Sequence, residues 1–270
     1  MNSFGPDGPG LESASNAIHV LLNHYQDILV PAFAQLEDPE EHFVRAALLV
    51  RSPPLVEAAL QLAEAGFGRE TMMLNRPLFE LMVDAYWAQA EPALADELFL
   101  AHARYTQHLQ REVARRYPGF FGALKEESLP AEEFEESMSR FGRYASRSWT
   151  EMNLHQRVEF FETYLADQGE AGRHRLWFVF DVLHNLNNSE LHPSSWSLGR
   201  ALRRLPSEEG GGLQFRVGPE PELATFALSS TWWVLVQTLD LMHELCGVPN
   251  DSLQEAAEAG AELLGLAEPD

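Results

Sequence analysis

Apolar residues recur at intervals of three and four along most of the chain, which is the spacing of an amphipathic helix. From Ser13 to Leu36 the pattern is regular, and Ser13 or Ser15 is expected to cap this first helix. Further helices are predicted at about 39–51, 55–65, 69–88, 92–117, 150–166, 169–191, 221–246 and 249–266. Pro53 and Pro54 are expected to break or kink the helix after Arg51, and Thr150 is expected to cap the helix that begins there. The pattern therefore predicts an all-α fold.

Glycine and proline divide the chain without splitting it into domains. Residues 1–12 are rich in both and are expected to be a disordered lead. Residues 198–217 are the least helical part, and Gly210–Gly212 separate two short segments that are expected to pair as a small β-hairpin. With no internal repeat and no long linker, residues 13–270 are predicted to form a single multi-helix, bundle-like domain.

The charge of the chain is strongly negative. Acidic residues number 41 against 19 basic ones, giving a net charge of −22. A field of this sign argues against recruitment of DNA or of an anionic membrane. Of the 18 arginines, 14 lie between Arg104 and Arg216, so RNA is a possible partner only through a local arginine face. The candidate faces are Arg104, His108, Arg111 and Arg115 on one helix and Arg140, Arg143 and Arg147 on another. Local ion pairs are the alternative interpretation of both.

Cysteine usage and the absence of targeting signals favour the cytoplasm. Cys246 is the only cysteine, which excludes an intrachain disulfide and fits a reducing compartment. No secretory signal is expected, and the most apolar segment, residues 223–245, is interrupted by polar residues and is interpreted as a core helix. No cofactor is expected. The chain also has no glycine-rich phosphate loop after a strand and no Gly-x-Ser-x-Gly elbow, which argues against nucleotide hydrolysis and α/β-hydrolase chemistry.

Three charged residues form the first candidate site. Arg76, Glu80 and Asp84 are spaced four apart on one helix face, among apolar neighbours. An arginine and a glutamate at this spacing can form an intrahelical ion pair. In the functional interpretation Glu80 is a general base or a metal ligand that Arg76 orients, and Asp84 assists in binding. A structural salt bridge is the alternative.

The second candidate is a polar helix end before Pro193. Asn185, Asn188, Ser189 and His192 lie on or near one face of the predicted helix, and Ser194 follows the proline. Helix interiors disfavour asparagine, so these side chains need hydrogen bonds, solvent or a function. His192 and Asn188 are predicted to be catalytic, with Asn185, Ser189 and Ser194 binding. A capped helix C-terminus is the alternative.

Two Asp-x-x-His spacings suggest a metal-dependent alternative. Asp181 with His184 and Asp240 with His243 would place pairs of ligands on helices, loosely resembling a carboxylate-bridged di-metal bundle. Such short spacings also arise by chance in long helices.

Several motifs resemble those of a large uncharacterised bacterial family of all-helical proteins. Arg76, Leu78 and Glu80 match an Arg-x-Leu-x-Glu helix, and residues 191–194 match a late helix ending in His-Pro-Ser. The resemblance covers about residues 45–217 and implies a fold. More distantly, such proteins are similar to HEPN nucleases of toxin and phage-defence systems. That likeness implies RNA cleavage in which histidine transfers a proton and arginine stabilises the phosphate, commonly across a homodimer.

Three hypotheses follow for the function. The leading one is a bacterial cytoplasmic protein with one polar pocket, formed where Arg76 and Glu80 meet residues 185–194, and linked to RNA cleavage and phage defence. The second is a non-catalytic interaction protein that forms a homodimer. The third is a carboxylate/histidine di-metal enzyme.

Overall fold

Helices form most of the described structure, as the sequence predicts. The structure, a computed structural model, describes residues 10–36, 42–117, 138–142, 148–167, 176–181, 202–204, 212–215 and 220–266. Its α-helices are α1 (Leu11–His24), α2 (Val30–Phe33), α3 (Phe43–Leu49), α4 (Ser52–Glu64), α5 (Gly68–Ala90), α6 (Pro92–Arg116), α7 (Leu154–Asp167), α8 (Leu176–Val179), α9 (Pro221–Cys246) and α10 (Asp251–Leu263). Two π-helical segments are π1 (Tyr25–Leu29) and π2 (Met138–Gly142).

The expected hairpin within residues 198–217 is confirmed. Strand β1 (Leu202–Arg204) pairs with β2 (Leu213–Phe215) in an antiparallel two-stranded sheet. Arg203 lies opposite Gln214 in the register. The three glycines that suggested the turn fall between the two strands along the chain.

The first helix begins earlier than expected. Helix α1 starts at Leu11, so neither Ser13 nor Ser15 caps it, and Ser15 is buried inside the helix. The helix then widens into π1 directly before Pro31, which lies in the first turn of α2. Proline has no backbone N–H to donate to the carbonyl four residues earlier, so a change in the hydrogen-bond pattern is expected here.

Prolines and one asparagine mark the other helix boundaries. The break predicted at Pro53 occurs as a new helix start, with the proline in the first turn of α4. Pro77 lies inside α5 without ending it.

The prediction that Thr150 caps the helix after it, α7, is wrong. Instead, the backbone N–H of Gln156 donates to Oδ1 of Asn153, and the N–H of Asn153 donates back to Oε1 of Gln156. This reciprocal cap starts α7.

Helices α5 and α9 run together through the core. Helix α9 packs along α5, while α3, α4 and α7 also pack on α5, and α1 packs against α9, α4 and α10. Fully buried side chains from α5 include Leu78, Phe79, Met82 and Trp87. Because α5 has neighbours on several sides, its buried polar side chains are held close to apolar groups and to other helices.

Two contacts fix the position of α9 along α5. At Gly68 a Cβ atom would lie 2.3 Å from the backbone nitrogen of Ala224, so only glycine allows this approach. Further along, the buried Asn75 donates through Nδ2 to the carbonyl of Ala227 at 2.8 Å and accepts from the Thr231 hydroxyl at 2.6 Å. A buried amide satisfied in this way sets the register between the two helices.

Within the described ranges, no helix has both the length and the apolarity needed to cross a bilayer.

Candidate functional site

The predicted ion pair on α5 is present. Arg76 Nε donates to Glu80 Oε1 at 2.9 Å. About a third of each side chain is exposed, 32% for Arg76 and 36% for Glu80. The pair lies at the boundary between the core and solvent, where a carboxylate can be held by its neighbours and still meet a ligand.

Asp84, one turn further along α5, is buried and bonded to protein groups. Its Oδ2 accepts a hydrogen bond from Trp149 Nε1 at 2.8 Å. Its Oδ1 forms an ion pair with Arg157 of α7. Both carboxylate oxygens of Asp84 are therefore bound by protein groups. Asp84 thus supports the position of the Arg76–Glu80 pair one turn away.

Arg157 is the most unusual charged residue of this region. Its side chain is almost completely buried, and burial lowers the pKa of its guanidinium to about 10, an effect that the nearby charge of Glu80 partly opposes. Its NH1 atom forms the pair with Asp84, and its Nε has no hydrogen-bond partner among the described residues. Arg157 is thus a buried cation with donor capacity left over, beside two carboxylates.

Together these residues form a chain of alternating charge. We call it the α5–α7 charge network, and its members are Arg76, Glu80, Arg157 and Asp84, with Trp149 bonded at its inner end. Trp149 is itself packed edge-on against Trp87 and Phe99, with ring centroids 5.3 and 5.5 Å apart. A rigid aromatic group therefore fixes the inner end, while Glu80 and Arg76 reach the surface at the outer end.

The polar helix end predicted from the sequence lies outside the described residues. This applies to His192, Asn188, Asn185, Ser189 and Ser194 alike. The described residues that precede it along the chain are packed on α7. His155 of α7 contacts the rings of Trp177 and Phe180, with centroids 4.8 and 5.9 Å apart.

The described part of the chain contains no group of three carboxylate, histidine or cysteine side chains that could hold a metal ion. Of the predicted Asp-x-x-His ligands, Asp240 accepts a hydrogen bond from Asn250 at 2.6 Å. Both ring nitrogens of His243 are engaged, one by the backbone and the other by His24. His184 lies outside the described residues. These contacts leave His243 without a nitrogen to offer a metal.

Arg140, from one of the two predicted arginine faces, forms local ion pairs. Arg140 of π2 pairs with Glu97 at 3.1 Å and also with Glu151. Its neighbours Arg143 and Arg147 lie outside the described residues. On α6, Arg104 and Arg115 are exposed, and His108 and Arg111 are partly buried. The local-ion-pair interpretation therefore holds for Arg140.

Sequence reasoning missed Arg157 and Trp149. Arg157 is separated from Asp84 by 73 positions, and Trp149 by 65. The one available signal was a charged residue within an apolar stripe, because Arg157 is followed by Val158 and Phe161, which are both buried.

Comparison with known proteins gives one match. A family model described as a family of unknown function (DUF5677) matches residues 42–210. The predicted resemblance to an uncharacterised family is confirmed, whereas the HEPN likeness draws no support from this match. No curated protein and no solved structure matches the chain. The matched range contains the whole α5–α7 charge network and the polar stretch before Pro193.

Proposed function

The chain belongs to DUF5677, a family of unknown function, and we propose that it is a cytoplasmic ribonuclease whose catalytic carboxylate is Glu80. The observation that carries this proposal is a partly exposed carboxylate held beside two guanidinium groups, one at the surface and one buried behind it. We assign the protein to the cytoplasm because its single cysteine fits a reducing compartment. We further propose that the protein acts in phage defence.

RNA can be cleaved by transfer of the phosphate to the neighbouring 2′-hydroxyl of the ribose. This reaction needs a base, an acid and positive charge. The base removes the proton of the ribose 2′-OH, and the 2′-oxygen then attacks phosphorus. The bond from phosphorus to the 5′-oxygen breaks, and the acid returns a proton to that oxygen. The products are a 2′,3′-cyclic phosphate and a 5′-hydroxyl end. Positive charge stabilises the phosphorane oxygens in the transition state.

Glu80 suits the role of the base. Arg76 holds its Oε1 at 2.9 Å, which fixes the direction of the carboxylate while about a third of the side chain stays exposed. The inner part of the network limits the movement of α5 relative to α7, because Asp84 is bound to Arg157 and Trp149. Catalytic side chains supported by a bonded second layer keep their geometry during reaction.

Arg76 and Arg157 suit the stabilisation of phosphate. Guanidinium groups offer several donors in a planar array that matches phosphate oxygens. Arg76 is at the surface, where it can contact phosphate, and the buried Arg157 adds positive charge from behind Glu80. In HEPN nucleases the arginine lies four to six residues before the histidine, but Asn187 stands five residues before His192 here. We therefore assign the charge to α5 and α7.

His192 is assigned the role of the acid. An imidazole titrates close to neutral pH, so it can carry a proton and release it to the leaving oxygen. Asn188, Asn185, Ser189 and Ser194 are assigned to binding of the ribose and base edges, for which amide and hydroxyl groups are suited.

The proposal is tested by incubating purified protein with total RNA, in the presence and absence of EDTA. We expect cleavage products that end in a 2′,3′-cyclic phosphate, in both conditions, because the proposed groups come from the protein. His192→Ala is expected to abolish these products while keeping the circular dichroism spectrum of the wild type. Intact RNA with wild-type protein, or full cleavage by His192→Ala, would contradict the proposed role.

A non-catalytic homodimer is the second candidate, and one surface favours it. Leu109, Val113 and Tyr117, spaced four apart near the end of α6, are exposed in the described structure. An apolar stripe at this spacing is typical of a helix that packs against another. If wild-type protein leaves RNA intact and is a dimer that Val113→Glu converts to a monomer, the interaction protein becomes the better description.

A further inference from the structure

Two buried histidines meet at the junction of the first and last helices. His24 is the last residue of α1, and His243 lies in the last turn of α9, 219 positions away. Their Nε2 atoms are 2.7 Å apart. His243 is fully buried and His24 is 9% exposed. The pair lies outside the α5–α7 charge network and outside residues 42–210, which the family model matches.

The rings meet head to head in nearly the same plane. Their planes differ by 16°, and the ring centroids are 5.0 Å apart. A face-to-face stack could not bring the two Nε2 atoms to hydrogen-bond distance, because ring faces in contact keep all their atoms further apart. The two nitrogens therefore point at one another, and one N–H lies between them.

The contacts of His243 decide which nitrogen carries that hydrogen. His243 Nδ1 lies 3.0 Å from the carbonyl oxygen of Pro249 and 3.3 Å from that of Val248. Carbonyl oxygens only accept, so His243 Nδ1 must be the donor, and its Nε2 is then the acceptor in the neutral ring. His24 Nε2–H consequently donates to His243 Nε2. The ring nitrogen left to take up a proton is His24 Nδ1.

The surroundings of the pair offer little compensation for positive charge. Burial lowers the pKa of His24 from 6.5, and the charge of His243 lowers it further, while Asp27 of π1 opposes both effects. On the other helices packed against α1, the carboxylates are exposed or bonded elsewhere. Glu57 and Glu64 of α4 and Asp251, Glu255, Glu258 and Glu262 of α10 are exposed. On α9, Asp240 accepts a hydrogen bond from Asn250, and the exposed Glu244 accepts one from Gln89. Leu253 and Gly260 are the buried residues of α10.

The pair lies where two helices end. His24 is followed by π1, where the helix changes its hydrogen-bond pattern. His243 is followed by Gly247, whose φ of 63° ends α9 and turns the chain into α10. The pair thus joins α1 to the turn between α9 and α10.

We propose that His24 and His243 form a pH-sensitive clasp, which holds α1 against the α9–α10 turn at neutral pH and loosens it in mildly acidic conditions. The first added proton puts a full charge on His24 in a buried site. A second proton can bind only at His243 Nε2, and it does so only when the N–H···N bond between the rings opens. Burial of the charge in the first step and loss of the N–H···N bond in the second both disfavour the closed arrangement.

The direction of the pH effect follows from linkage. In an opened corner the imidazole of His24 has its ordinary pKa near 6.5, whereas in the closed corner the pKa is lower. The opened corner therefore binds the proton more readily. The stability of the closed corner is fully present above pH 6.5 and is lost as the pH falls through the lowered value.

Hydrogen exchange measured by mass spectrometry at pH 7.5 and 5.5 tests the clasp, with rates corrected for the intrinsic effect of pH on exchange. In wild-type protein we expect corrected exchange in α1 and α10 to rise at pH 5.5. The upper limit for one proton is about tenfold per pH unit below 6.5. Exchange in the centre of α5 should stay unchanged.

Two variants separate the clasp from general acid sensitivity. His24→Gln keeps an N–H that can donate to His243 and removes the titrating ring, so the rise at pH 5.5 should disappear. His19→Gln is the matched control, because His19 is on the same helix but is exposed, 3.7 Å from Glu64. It should keep the wild-type rise. Equal corrected rates at both pH values in wild type, or a rise that persists in His24→Gln, would overturn the proposal.

A titration of the wild-type protein covers the case in which His24→Gln does not fold. Nitrogen-15 spectra of the imidazole rings should show hydrogen on Nε2 of His24 and on Nδ1 of His243 at pH 7.5. His24 should titrate below 6.5. Hydrogen on Nε2 of His243, or titration of His24 at or above 6.5, would overturn the clasp. None of these readouts depends on ribonuclease activity, so the clasp can fail or hold separately from the proposed reaction.

Discussion

Replacement of Glu80 by glutamine is expected to reduce RNA cleavage by roughly 10²–10⁴-fold, the usual contribution of a positioned general base. Glutamine has nearly the same shape and still accepts a hydrogen bond from Arg76, but it cannot take the proton of the 2′-OH. The effect should appear in the rate of the chemical step under single-turnover conditions. Substrate affinity should change much less, because the amide fills the same space.

A measurement of stability distinguishes this loss of cleavage from damage to the fold. The Arg76–Glu80 pair is partly exposed, and such i, i+4 pairs contribute about 0.2–0.5 kcal/mol. Urea unfolding of Glu80→Gln should therefore resemble that of wild type. Glu70→Gln, at an exposed position of the same helix, is the matched control and should keep full activity. Undiminished cleavage by Glu80→Gln would remove Glu80 from the reaction.

Replacement of Arg157 by methionine is expected to destabilise the protein by about 3–5 kcal/mol, as when one partner of a buried ion pair is removed. The methionine fills part of the space but leaves Asp84 as a buried carboxylate whose remaining partner is Trp149 Nε1. Urea unfolding should show a lower midpoint with an unchanged slope. Arg116→Met, at the exposed end of α6, should change stability by less than about 0.5 kcal/mol.

A double variant distinguishes a lost ion pair from poor packing. In Arg157→Met combined with Asp84→Asn, the amide oxygen can still accept from Trp149, and no charge is left buried. Most of the lost stability should therefore return, because replacing both charges of a buried pair is often close to neutral. A double variant no more stable than Arg157→Met would show that the methionine packs badly and that the charge of Asp84 has little effect.

Local pattern was enough to predict the helices and one ion pair. The range of α9 agrees with the sequence prediction because its apolar stripe is bounded by Pro221 and Gly247, residues that start and stop helices. The Arg76–Glu80 pair could also be predicted, since four-residue spacing places two side chains together on any helix. In both cases the residues that determine the feature lie within a few positions of it in the sequence.

Contacts between distant segments could not be predicted in this way. Arg157 meets Asp84, and His24 meets His243, only because α7 packs on α5 and α1 packs on α9. Helical periodicity shows which face of each helix is buried but not which helix covers it. The misplaced cap at Thr150 has a local cause, because Asn153 and Gln156 form a reciprocal pair that starts the helix three residues later.

The most direct measurement of whether α5 and the polar stretch share one site is disulfide trapping between them. In a Cys246→Ser background, Met73→Cys on the Glu80 face of α5 is combined in turn with a cysteine at 185, 188, 189, 192 or 194. Glu64→Cys, exposed on α4, is the control partner. A disulfide forms readily only when the two Cα atoms lie about 4.4–6.8 Å apart. A shared site predicts that at least one pair with position 73 closes under mild oxidation and none with position 64. Failure of every pair with position 73, in protein that remains folded, would contradict it.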